Sequence, residues 1–339
     1  MTHDFSWRDG ERLIRFRPGA VAEAPELLAA NGFEDYVLFT TDRARTQAPE
    51  LAEGASMVVV VPPGKVDDLS GSLLLELDAE LSSLVALGGG RVIDTAKAVA
   101  GAMGGRCAGV PTTLSGAELT PFHRLPAGAE GAKMVRPALV VADPELMASA
   151  PPTGLAASAM NALAHAMEAL YTPLANPVTT MAALRAAALL NQSAGAGAGP
   201  PGREALALGA LLAGYASGST GIAVHHAVCQ TVVRTAGSPH AETNAVMLPH
   251  TARLMAHRAP GPMGELARVL GNSAGDPEAA AERLAPLAAR CGHTRLSTLG
   301  VTEEQLPAIV SLASEHPLLA NTPQAPRERE LLTLLQDAF

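Results

Sequence analysis

The sequence predicts a two-domain protein, an α/β domain with a parallel sheet over residues 1–150 and an all-α helical domain over 151–339. Three observations lead there. Short, unbroken apolar runs recur through the first part and stop near residue 150. From Pro151 onward, Ala- and Leu-rich segments with helical spacing take over. A chain of 339 residues also exceeds what one hydrophobic core usually organises.

The strands follow in order. Tyr36–Thr40 is a β-rich run ending at Thr41-Asp42, and Met57–Val61 is closed by Pro62-Pro63. Leu84–Leu87 runs into Gly88-Gly89-Gly90, and Leu139–Ala142 ends at Asp143-Pro144. Apolar strands without alternation, separated by helical stretches, imply a parallel sheet covered on both faces. In the helical part, Ser193–Gly202 is the one low-complexity stretch. Its Gly and Pro content predicts a loop between two helices.

Composition narrows the function classes. Hydrophobic residues make up 48% of the chain but aromatics only 3%, so the core is built from Ala, Leu and Val. A net charge of −9 argues against nucleic-acid or anionic-membrane partners. Cys107, Cys229 and Cys291 are too few and scattered for a disulfide framework, which fits a reducing compartment. The N-terminus lacks the apolar core of a signal peptide, and no run is long enough to span a bilayer. The expectation is a soluble, cytoplasmic protein with no nucleic-acid or membrane partner and, by base rate, a homodimer.

Polar residues interrupt the apolar pattern at four places. Gly88, Gly89 and Gly90 follow a strand and open a helix, where backbone N–H groups can receive a phosphate. A plain tight turn is the alternative. Asp94 and Lys97, three apart on that helix, either serve the same ligand or form a surface ion pair. Thr112, Thr113 and Ser115 lie in a second polar loop, as phosphate or ribose ligands or as helix caps. Asp42, at the end of an early strand, either accepts a ribose hydroxyl or completes a turn. As a ribose partner it favours a free 2′-hydroxyl over a 2′-phosphate.

The helical part contributes the other cluster. Gly221–His250 holds four of the ten histidines, His225, His226, His240 and His250. His226 and Gln230 share a helical face, as do Asn161 and His165 on another helix. Each histidine alone reads more readily as a hydrogen-bonded core residue. Together they point to a site.

These pieces resemble the iron-containing alcohol dehydrogenase superfamily, and within it the maleylacetate reductase branch. The resemblance rests on GGGRVIDTAKAVAG, PTTLSGAE, MNALAHAMEALYTPLANP, PHAETNAVMLPH and the tail NTPQAPRERELLTLL. It covers most of the chain from Tyr36 onward and implies a Rossmann-like nucleotide domain followed by a helical domain, the dehydroquinate synthase-like fold. Metal-dependent members hold their ion with one Asp and three His, places matched here by Asn161, His165, His226 and His240. Asn161 removes the anionic ligand, so no tightly held catalytic iron is expected, while zinc on three histidines stays open.

Three positions depart from the pattern. Arg91 stands where a serine is usual, and Gln230 where a further histidine is usual. Thr231–Arg234 replaces a stretch that normally contains glycine. Glutamine orients an oxygen but does not exchange protons near neutral pH, which leaves His225, His226 or His240 to supply one. Arg234, Lys133 or Arg124 supplies a cation for a carboxylate. The leading expectation is an NADH- or NADPH-dependent reductase acting on a small acidic, unsaturated or carbonyl substrate. A metal-dependent alcohol dehydrogenase, a non-redox lyase or cyclase on the same scaffold, and a catalytically silent nucleotide-binding protein are the alternatives.

Overall fold

The structure, a computed structural model, describes residues 5–9, 11–77, 81–193 and 199–339. It divides into two compact units, Met1–Ala150 and Pro151–Phe339. The first carries the sheet and the second, in its described residues, only helices.

In the first unit the strands are β1 (Phe5–Asp9), β2 (Arg12–Phe16), β3 (Val37–Thr40), β4 (Met57–Val60), β5 (Ser83–Gly88), β6 (Arg106–Pro111) and β7 (Leu139–Ala142). Their spatial order is β1-β2-β7-β6-β5-β3-β4. Every neighbouring pair is parallel except β1 and β2, which form an antiparallel hairpin. Helices α1 (Ala24–Ala30), α2 (Asp42–Gln47), α3 (Pro49–Glu53), α4 (Val66–Glu76), α5 (Gly90–Met103) and α6 (Pro144–Met147) complete the unit. Successive strand residues face opposite sides. Leu38, Val85 and Leu87 join one buried cluster with Leu28 and Phe33, while Phe39, Leu84 and Ala86 join another with Ile93 and Val99. Each such Leu, Val, Ile or Phe side chain contributes about 1.5–3 kcal/mol by leaving water.

The parallel sheet read from the sequence is present, with two differences. Three further strands exist. The sixth, Arg-Cys-Ala-Gly-Val-Pro, has few strand-forming residues, yet it lies between β5 and β7, where pairing on both sides outweighs propensity. The run from Met57 is not covered on both faces within this unit. It forms the edge strand β4, with Met57 45% and Val60 44% exposed.

The second unit contains α7 (Pro152–Ala169), α8 (Pro177–Ser193), α9 (Pro200–Thr220), α10 (Val224–Ala236), α11 (His240–Arg258), α12 (Pro260–Val269), α13 (Pro277–Ala288), α14 (Leu306–Ser314) and α15 (Glu328–Ala338). The central helix α7 packs against α8, α9 and α11. Small residues allow close approach: a Cβ on Gly209 would lie 2.8 Å from Leu190 Cγ. The expected loop Ser193–Gly202 is shorter than read, because α9 already begins at Pro200, where proline's fixed φ suits a helix start. Residues 194–198 of that loop lie outside the described residues. Among the described residues no single helix is long and apolar enough to cross a membrane.

Candidate functional site

Parallel strands place their carboxyl ends on one edge of the sheet. Along that edge, adjacent β3, β5 and β6 lead into Asp42, the glycine turn and Thr112. Ligands of open parallel sheets bind outside such ends. Gly89 is the N-cap of α5 and offers no side-chain cap, so the first amides of a 14-residue helix carry uncancelled positive potential. A Cβ on Gly89 would lie 3.0 Å from Thr113 Cγ2, and one on Gly90 would lie 3.1 Å from Ser115 Cβ. The glycines therefore let the second polar loop lie directly on the first, fixed by the 3.0 Å bond from Thr112 N–H to the Gly88 carbonyl. The Thr113 hydroxyl is buried with no hydrogen-bond partner. Ser115 Oγ accepts from the Ala117 amide at 3.4 Å.

Two of the expected cofactor residues are used differently. Lys97 is fully buried and gives its three protons to Asp94 Oδ1 (2.8 Å), the Ala117 carbonyl (3.0 Å) and the Phe122 carbonyl (2.6 Å). No donor remains for a ligand, and the pair is not a surface ion pair either. Lys97 and Asp94 instead anchor the chain that follows the Thr112–Ser115 loop to α5. Asp42 opens α2 with a largely exposed carboxylate, 3.2 Å from the Arg45 guanidinium.

In the second unit, α7 presents Asn161, His165 and Glu168 at intervals of four and three, on one helical face. The His165 ring stacks on His226 with centroids 4.3 Å apart and planes 20° from parallel. Glu168, fully buried, meets the start of α10. Its Oε1 accepts from the His225 amide at 2.7 Å and the His226 amide at 3.4 Å, and its Oε2 lies 2.6 Å from His226 Nδ1. The turn before α10 needs Gly221 at φ 83°, and Asn321 of the tail motif holds it by donating to the Ile222 carbonyl at 2.9 Å. The other His226 nitrogen, Nε2, and Asn161 Oδ1 are buried with no hydrogen-bond partner.

Burial governs the electrostatics. It pulls His226 down to about 3, with His240 adding to the shift, so the ring is neutral. It pushes Glu168 upward, opposed by His225, the Ala223 and His225 backbone amides and His165.

His225 does not join this face. Asn244 Nδ2 donates to the His240 carbonyl (2.7 Å), which turns Asn244 Oδ1 toward His225 Nε2 (3.0 Å), and His225 Nδ1 meets Thr251 Oγ1 at 2.8 Å. With both ring nitrogens on protein partners and its pKa lowered to about 3, first by burial, His225 is a core residue and not a proton source. His240 is exposed on the first residue of α11, and half-buried Gln230 follows His226 by one turn of α10. His250 lies farther along α11, on a surface depression with Arg253 and Asp337. Arg124, Lys133 and Arg234 are exposed.

A metal at the four matched positions fits poorly. Among the described residues no group of three or more His, Cys, Asp and Glu is arranged to hold an ion. The stacked rings of His165 and His226 hold their in-plane lone pairs in nearly parallel planes, which do not meet at one ion. Asn161 adds only a neutral amide oxygen. The same geometry speaks against zinc on three histidines.

Sequence reasoning passed over Glu168. Its signal was present, since a lone carboxylate in an apolar 18-residue helix is buried only if something pairs with it.

Residues 155–339 match the Fe-containing alcohol dehydrogenase family, C-terminal, and residues 15–151 match Iron-containing alcohol dehydrogenase. Maleylacetate reductase 1 of Rhodococcus opacus is 35% identical over 297 residues, covering 85% of this chain and 80% of that protein. Maleylacetate reductase of Sphingobium indicum is 32% identical over 323 residues, 90% of this chain and 89% of its own. The crystal structure of maleylacetate reductase from Agrobacterium tumefaciens superposes with a TM-score of 0.84 at 29% identity, covering 100% of this chain and 99% of that one.

Proposed function

Because this chain belongs to the iron-containing alcohol dehydrogenase family and is an oxidoreductase, we propose that it reduces maleylacetate, or a closely similar unsaturated keto diacid, with a nicotinamide cofactor and no catalytic iron. The observation that carries this reading is the neutral, non-convergent donor set of Asn161, His165 and His226. A metal-dependent dehydrogenase needs donors that close on one point, and an anionic donor among them strengthens the hold.

The first unit holds the cofactor's phosphates on the α5 amides, with the Thr113 hydroxyl as a further donor and Arg91 as an exposed cation in the first turn. Asp42 takes the ribose and favours NADH, with the Arg45 guanidinium moderating that preference. When bound, the cofactor supplies the hydride. The second unit supplies the rest: Gln230 orients a substrate oxygen, and His240 delivers the proton that the resulting enolate takes up. Exposed Arg234 is the cation for a substrate carboxylate. The substrate is a small molecule, and nucleic acid and membrane play no part in this reading. The protein works in the cytoplasm as a homodimer.

The test is NADH oxidation with maleylacetate by protein stripped of metal with a chelator. Turnover unchanged by stripping supports the reading. No turnover before stripping or after adding back iron or zinc sinks the substrate assignment, and turnover that returns only with metal sinks the metal-free mechanism.

A further inference from the structure

Glu168 makes two kinds of contact at once, and their combination fixes the state of a neighbouring ring. Its Oε1 accepts backbone N–H groups at the start of the 13-residue α10, which has no side-chain cap from its own N-cap residue, Ala223. Oriented amides at a helix start favour an anion. Burial raises the pKa of this carboxyl, and the backbone amides and neighbouring histidines oppose that rise. Held as the anion by those amides, Glu168 only accepts hydrogen bonds, which puts the proton in the 2.6 Å contact between Oε2 and His226 Nδ1 on the ring. A neutral imidazole with a proton on Nδ1 has a bare lone pair on Nε2, and that atom is buried without a protein partner.

We infer that Glu168 is a positioning residue that caps α10 and locks His226 in the Nδ1–H form, so that His226 Nε2 accepts a hydrogen bond from a hydroxyl-bearing ligand and does not donate a proton. The inference rests on the proposed reading of Asn161, His165 and His226 as part of a metal-free reductase site. The partner class is an O–H donor, such as the enolic form of a keto acid or a bound water. Substrate carboxylate and ketone oxygens are excluded from this position. The proton for the product's carbon then comes from elsewhere on the site.

Glu168→Gln separates this role from simple packing. The glutamine is isosteric, and its carbonyl must replace Oε1 as acceptor for the backbone amides. Its NH2 group then faces His226 Nδ1 as a donor, which drives the ring proton to Nε2. A purely structural Glu168 predicts no such reversal. The measurement is a long-range 1H–15N correlation spectrum of the full chain labelled with 15N-histidine, with the His226 signals identified by their loss in His226→Gln. The expected result is Nδ1–H in the parent protein and Nε2–H in Glu168→Gln, with a fall in kcat on maleylacetate on the order of 10- to 100-fold. An Nε2–H ring in the parent protein overturns the inference, even if the variant does not fold. So does an unreversed ring in a folded variant, or a reversed ring with unchanged kcat. Absence of maleylacetate turnover in the parent protein refutes the proposed substrate, while the spectra judge the Glu168 assignment on their own.

Discussion

Glu118→Gln should gain stability relative to the parent as pH rises and flatten the first unit's response to pH. Glu118 is fully buried behind the Thr112–Ser115 loop, and neither carboxylate oxygen has a hydrogen-bond partner. Burial pushes its pKa up from an ordinary 4.5 to about 7, against the pull of its own backbone amide and of Lys97. The sign follows from linkage. Below 4.5 the group is protonated in both states and costs nothing. Between 4.5 and 7 only the unfolded chain ionises, so stability falls as pH rises. Above 7 the loss is complete and constant. At about 1.4 kcal/mol per pH unit, the loss is about 3 kcal/mol. Burying the glutamine amide carries its own cost of about 1–3 kcal/mol, but that cost does not vary with pH. The assay is urea unfolding of parent and variant from pH 4 to 8, followed by circular dichroism. The difference in stability between variant and parent should widen in the variant's favour by about 3 kcal/mol across that range. A constant difference from pH 4 to 8 would refute the assignment of a neutral buried acid.

Three further substitutions test the frame and the cofactor site. Gly101→Ala improves helix propensity, yet its Cβ would sit 2.0 Å from the Lys133 carbonyl, so we expect a loss of roughly 1–3 kcal/mol, or more, in a thermal melt of the first unit. Thr113→Val removes the buried, unpartnered hydroxyl with little change in shape. Stability should hold or rise, while the NADH Kd by fluorescence titration rises about 3- to 10-fold, the effect of one hydrogen bond. Asp42→Ala frees Arg45 to meet a 2′-phosphate, so the ratio of kcat/KM for NADH over that for NADPH should fall by about tenfold; an unchanged ratio removes Asp42 from cofactor choice.

How far the sequence could be read depended on whether a residue's job was local. Leu139–Ala142 was found to the residue because an apolar tetrapeptide buried on both faces states its own structure. Strand β6 was invisible because Cys107, Ala108 and Gly109 gain their strand state from neighbours far away in sequence. The same distinction holds at the sites. The stacking of loop 112–115 on the glycine turn follows from residue size, and the glycines announce it. Lys97 and His225 looked like chemical groups because their types are chemical. Only the fold reveals that Phe122 and Ala117 consume the one, and that Asn244 and Thr251 enclose the other. Glu168 stands in an apolar helix and meets its partners, the start of α10 and His226, far away in sequence, so its role shows only in the fold.

Asparagine at position 161 and the burial of Glu168 belong to one electrostatic solution. Asn161 and Glu168 lie on the same face of α7, two turns apart. Two ionised carboxylates on that buried face would repel each other and lack water to screen them, a situation that a bound cation relieves. With asparagine at 161 a single carboxylate remains. Glu168 is answered by the amides of α10 and by the His226 ring proton, so the charge is balanced within the fold. His226 then stays neutral without a counter-ion, and His165 can stack on it without like-charge repulsion. A carboxylate placed at 161 would require a cation that the stacked rings are poorly placed to hold. Asparagine at 161 and the stacked rings therefore belong to one arrangement, in which the Glu168 carboxyl is satisfied by protein.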